Sequence, residues 1–234
     1  RGRATLPTEP VRVAPLGSRR RLRLGIARTA GGLALGFRAR ESHRVVAITT
    51  CPVAQVELVR LFNPLAAALD GALDRPYPDE LSLTATATGV DCVLQGARGP
   101  GVGERARLAA VAERLDLARM AWSGAGAGPI VTRCTPILTL AGVAVAVPSS
   151  GFVQPTEFGE RELLGALSEW AGPPARALDL YAGIGTLSFG LAKAGWQVRA
   201  LEADEAAVTA LRHAAAGAGP SRVVAEQRDL NRRP

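Results

Sequence analysis

The chain has 234 residues, 47% of them hydrophobic and 21% charged, with three cysteines and a formal net charge of +7. That is enough chain for two modest domains with buried cores, and no apolar run reaches the roughly 18–20 residues a membrane span needs. Cys51, Cys92 and Cys134 lie far apart with no zinc-type spacing, so no metal site is expected; a sparse, odd count suits a reducing compartment, and a cytoplasmic protein is the expectation.

The N-terminus, Arg1 to Pro7, lacks the apolar stretch of a signal peptide, and the first residue is not Met, which suggests a fragment. Charge is divided unevenly. Residues 1–150 carry 19 Arg/Lys against 11 Asp/Glu, and residues 151–234 carry 9 against 10. A basic excess confined to one part suggests a polyanionic partner.

In chain order, residues 1–18 read as irregular, with Pro7, Pro10 and Pro15 as breakers. Arg20 to Ala27 alternates basic and apolar residues, the period of a half-buried strand. Thr29-Ala30-Gly31-Gly32 is a turn, and Leu33 to Arg40 returns as a hairpin. Val45 to Thr49 is a third strand-like run. Pro52 opens a helix-like segment to about Ala72, with Pro64 as a kink or break. Leu81 to Ala87 and Asp91 to Gln95 read as a hairpin around Thr88-Gly89. Glu104 to Leu117 is a second helix, followed by strands at Ile130 to Thr132 and Ile137 to Val147. This is an α+β layout.

At Pro148-Ser149-Ser150-Gly151 the pattern changes, and two domains are expected, 1–150 and 151–234. Thr156 is placed to cap a helix whose first turn holds Glu157 and Glu160. Leu163, Leu164, Leu167 and Trp170 form its expected buried stripe. Strands at Ala177 to Tyr181, Val198 to Glu202 and Val223 to Gln227 then alternate with helices at Thr186 to Ala194 and Glu205 to Ala215. Alternation of this kind implies a parallel, Rossmann-like α/β sheet.

The chemistry-bearing segment is Asp179-Leu180-Tyr181-Ala182-Gly183-Ile184-Gly185, at a strand-to-helix turn. Open α/β sheets bind ligands beyond the carboxyl ends of their strands. Gly183 and Gly185 let backbone approach a ligand closely, and amides at a helix N-terminus suit an anionic group. Glu202, at the end of the next strand, is placed to accept from ribose hydroxyls. Asp229, after the third strand, is placed to accept from an adenine amino group. Each residue has a plainer reading: turn glycines, a solvated strand end, a surface cap. The spacing alone does not separate S-adenosylmethionine (SAM) from a nicotinamide dinucleotide. Ser188, where a dinucleotide fingerprint has its third glycine, and the leading Asp179 tilt it toward SAM.

Further segments carry a resemblance. Phe152-Val153-Gln154-Pro155-Thr156, Asp179 to Gly185 and Leu201-Glu202 look like the class I SAM-dependent RNA (uracil-5-)-methyltransferases that act on 23S rRNA and tRNA. Leu35-Gly36-Phe37-Arg38, Ser42 to Val46, Thr50-Cys51-Pro52-Val53 and Thr88-Gly89-Val90-Asp91 are similar to that family's central region. The resemblance implies a class I methyltransferase domain, incomplete here, preceded by an α+β central domain that faces RNA. It implies SAM as cofactor, rRNA or tRNA as partner, and cofactor contacts from Gln154, Tyr181 and Glu202, with Asp229 at a more variable adenine-side position. It also implies a cysteine nucleophile that adds to C6 of uracil. None of the three cysteines matches that place, so no catalytic residue is assigned, and the three are read as structural. Ala182 stands where a Cys is common and Thr156 where an Asn is common.

His43 and His213 have no partners suggesting catalysis. Arg21 and Arg23 share one face of their strand, either to track a phosphate backbone or to keep an edge strand from pairing. A monomer with no membrane association is expected. The alternatives are a catalytically inactive SAM- or RNA-binding module and, less favoured, a nicotinamide-dependent oxidoreductase.

Overall fold

A computed structural model describes residues 10–149, 151–218 and 222–232. Pro7 and Ser150, named above as a breaker and as part of the boundary, lie outside the described residues. Residues 21–132 build one sheet from β1 (Arg21–Thr29), β2 (Gly32–Arg38), β3 (Val45–Ala47), β4 (Glu80–Thr86), β5 (Gly89–Gly96), β6 (Arg119–Gly124) and β7 (Gly128–Thr132). Helices α1 (Val56–Val59), α2 (Phe62–Ala72) and α3 (Val102–Arg114) connect them. The strand order is β3-β2-β1-β4-β5-β6-β7. Neighbours are antiparallel except β5 and β6, which α3 joins in parallel.

The period-2 pattern of β1 decides which face is core. Leu22 and Leu24 pair in register with Leu83 and Leu81. They pack with Leu58, Phe62, Leu65, Leu108 and Trp122 in one hydrophobic cluster under the helices. The alternate residues, Arg21 and Arg23, stand opposite Thr84 and Ser82 on the other face. β1 lies between β2 and β4, but β2 pairs with it only from Gly25 to Thr29, so Arg21 and Arg23 have β4 alone as their strand partner.

Three expectations need correction. The helix placed from Pro52 begins at Val56 and is interrupted at Arg60-Leu61; Pro64 sits in the first turn of α2, where a missing N–H breaks no helical bond. Strand β6 was not expected: its short Met120-Ala121-Trp122 centre follows a helix and precedes a glycine-rich turn. Cys134 is exposed, whereas Cys51 and Cys92 are buried; burial pushes the Cys92 thiol far above its ordinary range.

Past β7 come a hairpin of β8 (Ile137–Leu140) and β9 (Val143–Ala146), then α4 (Glu157–Ala171), β10 (Arg176–Leu180), α5 (Thr186–Lys193), β11 (Gln197–Glu202), α6 (Glu205–Gly217) and β12 (Val223–Gln227). Strands β10, β11 and β12 form a parallel sheet in that order, the Rossmann-like arrangement expected. A second hydrophobic cluster joins Leu138, Val145, Val153, Ile184, Phe189, Val198 and Leu211. The stripe expected on α4 is only partly realised. Leu164 and Leu167 are half-buried, Leu163 and Trp170 are exposed, and the buried residue of this helix is Glu160. The opposite sheet face and the outer edge of β10 leave Leu178, Leu180 and Val224 exposed.

Candidate functional site

The turn after β10 is held from below by a buried pair. Asp179, on the helix-covered face of β10, accepts from the Ser188 hydroxyl at 2.6 Å. Ser188 is fully buried in α5, so this bond staples strand to helix across the turn. Burial pushes the Asp179 carboxyl up, while the Ser188 hydroxyl and amide act to lower it. The position that distinguishes this segment from a dinucleotide fingerprint therefore has a packing role.

Above the staple, the chain reverses through left-handed backbone. Tyr181 has φ 57°, Gly183 φ 55° and Gly185 φ 93°. A Cβ at Gly185 would lie 2.9 Å from the Phe189 ring and 3.1 Å from Leu211, so both conformation and space demand glycine there. At Gly183 nothing lies within 4 Å of that position, leaving open room over the turn.

Glu202 ends β11 with its carboxylate fixed by backbone amides. Oε2 accepts from Gly183 N at 2.8 Å, and Oε1 accepts from Ala203 N at 2.7 Å and Asp204 N at 2.9 Å. The Gly185 amide is used as well, donating to Ala182 O. The two glycine amides expected to face an anion are thus spent within the protein. A carboxylate offers about four lone-pair sites; three amides leave Glu202 one, on Oε2, beside the open space at Gly183.

The segment after β12 closes the third side. Arg228 N donates to Glu202 O at 2.8 Å. Asp229 is half-buried; its Oδ1 accepts from Asn231 N at 3.0 Å and its Oδ2 lies 3.4 Å from Arg232 Nε. The Asn231 Oδ1 accepts from the Tyr181 hydroxyl at 3.2 Å. Tyr181 is 62% exposed, so its ring stands at the surface and not in the core. Tyr181, Gly183, Glu202 and Asp229 therefore gather at the carboxyl ends of three parallel strands. Asn231, which sequence reasoning missed, ties the first of them to the last; its only signal is its place two residues after Asp229.

The Gln154 loop is held by the first sheet, and no side-chain contact among the described residues joins Gln154 to the other four. Val153 beside it packs in the same cluster as Ala182 and Ile184, while the loop backbone is gripped by the first sheet. Arg20 Nε donates to Gln154 O at 3.1 Å, and Arg20 N donates to Pro155 O at 2.8 Å. The Arg20 guanidinium, 1% exposed, lies 2.8 Å from Glu160 and 3.8 Å from Glu157. The shorter contact is an ion pair without hydrogen-bond alignment, since Arg20 Nη1, Nη2 and Glu160 Oε1 are buried without an aligned partner. Burial raises the Glu160 carboxyl despite Arg20. Thr156, beside this loop, caps α4 by accepting from Gly159 N at 2.9 Å, as expected.

The site is an open shelf. None of its five expected residues lines the larger cavities of the described residues, such as the one of about 450 Å³ between α4 and α5. No group of His, Cys, Asp and Glu suited to a metal occurs among the described residues, and no helix among them is long and apolar enough to cross a membrane.

No protein-family model matches the chain. Sequence relatives do. An uncharacterized RNA methyltransferase of Caulobacter vibrioides is 36% identical over 234 residues, covering 96% of this chain and 55% of that protein. The 23S rRNA (uracil(1939)-C(5))-methyltransferase RlmD of Halomonas elongata is 32% identical over 230 residues, covering 92% of this chain and 47% of that protein. The chain spans about half the length of the curated relatives it matches. Among solved structures, the Pyrococcus abyssi tRNA (uracil-54, C5)-methyltransferase in complex with S-adenosyl-L-homocysteine matches with a TM-score of 0.66 at 20% identity, over 92% of this chain and 56% of that one. At that identity the likeness shows the fold.

Proposed function

Because the chain belongs to the RNA methyltransferase family, we propose that it is the cofactor-binding part of an RNA uracil-C5 methyltransferase that uses SAM. The observation that carries this reading is the gathering of Tyr181, Gly183, Glu202 and Asp229 on one shelf beyond three parallel strands. That is where an open α/β sheet takes a nucleotide. The residues fit the cofactor: the room over Gly183 admits a ligand, and Glu202 keeps one lone pair for a ribose hydroxyl. Tyr181 presents its ring at the rim, and Asp229 would accept from the adenine amino group. Gln154 completes the set from its loop. When bound, SAM supplies the methyl group. The chain's own residues hold and orient it.

The uracil-C5 assignment draws on the activity of the Halomonas relative and on the segments from Phe152 to Thr156 and Asp179 to Gly185. The test uses the full-length protein, unmodified 23S rRNA or tRNA, and SAM with a tritiated methyl group. Label recovered as 5-methyluridine is the expected result. Label on another base would overturn the uracil assignment. Absence of SAM binding by titration calorimetry would overturn the cofactor reading, and a Glu202→Gln variant is expected to bind SAM at least about tenfold more weakly, the loss of one charge-assisted hydrogen bond.

A further inference from the structure

The seven-stranded sheet has two unlike faces. Helices cover the one that carries Leu22, Leu24, Leu81, Leu83 and Leu94. The other, by strand register, carries Arg21 and Arg23 on β1, Ser82 and Thr84 on β4, Asp91, Val93 and Gln95 on β5, and Arg119 and Ser123 on β6. Arg38 of β2 reaches the same face, its guanidinium 4.0 Å from Glu80. Part of this face is covered, with Thr84, Asp91 and Val93 buried, whereas Arg23, Arg38 and Gln95 are exposed.

Charge on this face does not cancel. Asp91 is consumed by Arg119, which grips both its oxygens at 2.8 and 2.7 Å. Glu80 serves two arginines, Arg23 at 3.0 Å and Arg38 at 4.0 Å. Among the described residues Arg21 makes no ion pair; its Nη1 donates to the neutral Gly151 carbonyl at 3.0 Å, and Asp91 acts on it only at longer range. Four arginines thus face two carboxylates. Burial, and then the neighbouring Arg23, press the Arg21 guanidinium below its ordinary range. Between Arg21 and Arg23 opens a cavity of about 280 Å³ whose other lining includes Ser82, Gln95, Ser123 and Ser149.

We propose that this cavity is an anion site for an RNA phosphodiester, at the exposed end of the sheet face marked by Arg23 and Gln95. The proposal rests on the RNA reading given above and locates it. Two guanidiniums on alternate residues of one strand point to the same side about 7 Å apart along it, near the spacing of successive phosphates. Hydroxyl and amide donors complete a polar pocket that neutralises charge without reading a base edge. No aromatic side chain lies among its lining residues, so it positions the strand and does not stack on it.

The experiment measures binding of a uridine-containing RNA to the full-length protein by fluorescence anisotropy across a salt series. Arg21→Gln/Arg23→Gln is compared with Arg40→Gln/Arg60→Gln, which removes equal charge from exposed positions of the same half. The site pair is expected to flatten the log–log salt dependence by roughly 1.4 units, two single-strand phosphate contacts, and to weaken binding by at least about tenfold near physiological salt. The control pair is expected to change little. SAM affinity should be unchanged in the control pair and in Arg23→Gln, which does not touch the Gly151–Thr156 loop. Arg23→Gln alone, at a side chain 66% exposed, guards against misfolding of the pair and is expected to give about half the slope change. Equal effects of the two pairs, or none in either, would overturn the proposal while leaving the RNA reading intact. A wild-type protein that binds SAM but no RNA would sink the RNA reading, and this proposal with it.

Discussion

At the scale of single residues, the most consequential contact is the one between Ser188 and Asp179. A buried carboxylate stripped of a donor costs about 1–3 kcal/mol, so Ser188→Ala is expected to lower unfolding free energy by that amount in urea titration. The pH dependence follows from the raised Asp179 carboxyl. A group whose folded pKa lies above its unfolded value contributes stability that is full below the unfolded value, about 3.9 for Asp, and fades as pH rises through the folded one. Asp179→Asn should therefore gain on the wild type as pH rises from about 4, levelling once the folded pKa is passed. Glu160 contributes with the same sign, its burial outweighing Arg20, and it is present in both proteins, so the difference isolates Asp179. A difference that ran the other way would show a carboxylate held low by its donors.

Some of these residues were legible beforehand and some were not. Gly183, Gly185 and Glu202 announce themselves because a strand–turn–helix reversal restricts which residues fit. Their hydrogen bonds do not, because a sequence cannot show that the Gly183 amide turns inward to Glu202. Asn231 and Arg20 were missed because each acts through a partner far along the chain, 50 residues away for Tyr181 and 134 for Gln154.

Among the elements, α5 depends most on one position. Gly185 is its N-terminal flanking residue in left-handed backbone, and an added methyl meets Phe189 and Leu211. Gly185→Ala combines backbone strain with overpacking and is expected to cost about 2–4 kcal/mol, read as a lower denaturation midpoint with unchanged slope. The strands of this half were readable because each is a short apolar run between turn signals. α4 was not, since its leucines suggested a buried stripe while the helix buries a glutamate against Arg20 instead. The hairpin β8–β9 precedes the expected boundary at residue 150, yet Leu138, Leu140 and Val145 belong to the second hydrophobic cluster. Pattern change in sequence marks where topology switches; it does not mark which core an earlier hairpin joins.

Across the whole molecule, Arg20, 1% exposed, ties the start of the first sheet to the entry loop of the second. Its removal strands Glu160 with a side chain 10% exposed. Breaking a buried ion pair from one side costs about 3–5 kcal/mol, reduced here to the extent that Glu160 takes up a proton. Arg20→Met is expected to show that loss in denaturant and to weaken SAM binding through the Gln154 loop; Arg20→Met/Glu160→Leu should recover stability without recovering affinity. Recovery of both would reduce Arg20 to packing. Hairpin contacts add to the junction, with Thr88 Oγ1 donating to Thr135 O at 2.7 Å and accepting from Ile137 N at 3.2 Å.

One guanidinium enclosed between a β-strand of one sheet and the entry loop of the other makes their melting a shared event. Peeling either sheet away breaks the bonds of Arg20 to Gln154 and Pro155 and its ion pair with Glu160 together, so heating should produce a single calorimetric endotherm whose van't Hoff and measured enthalpies agree.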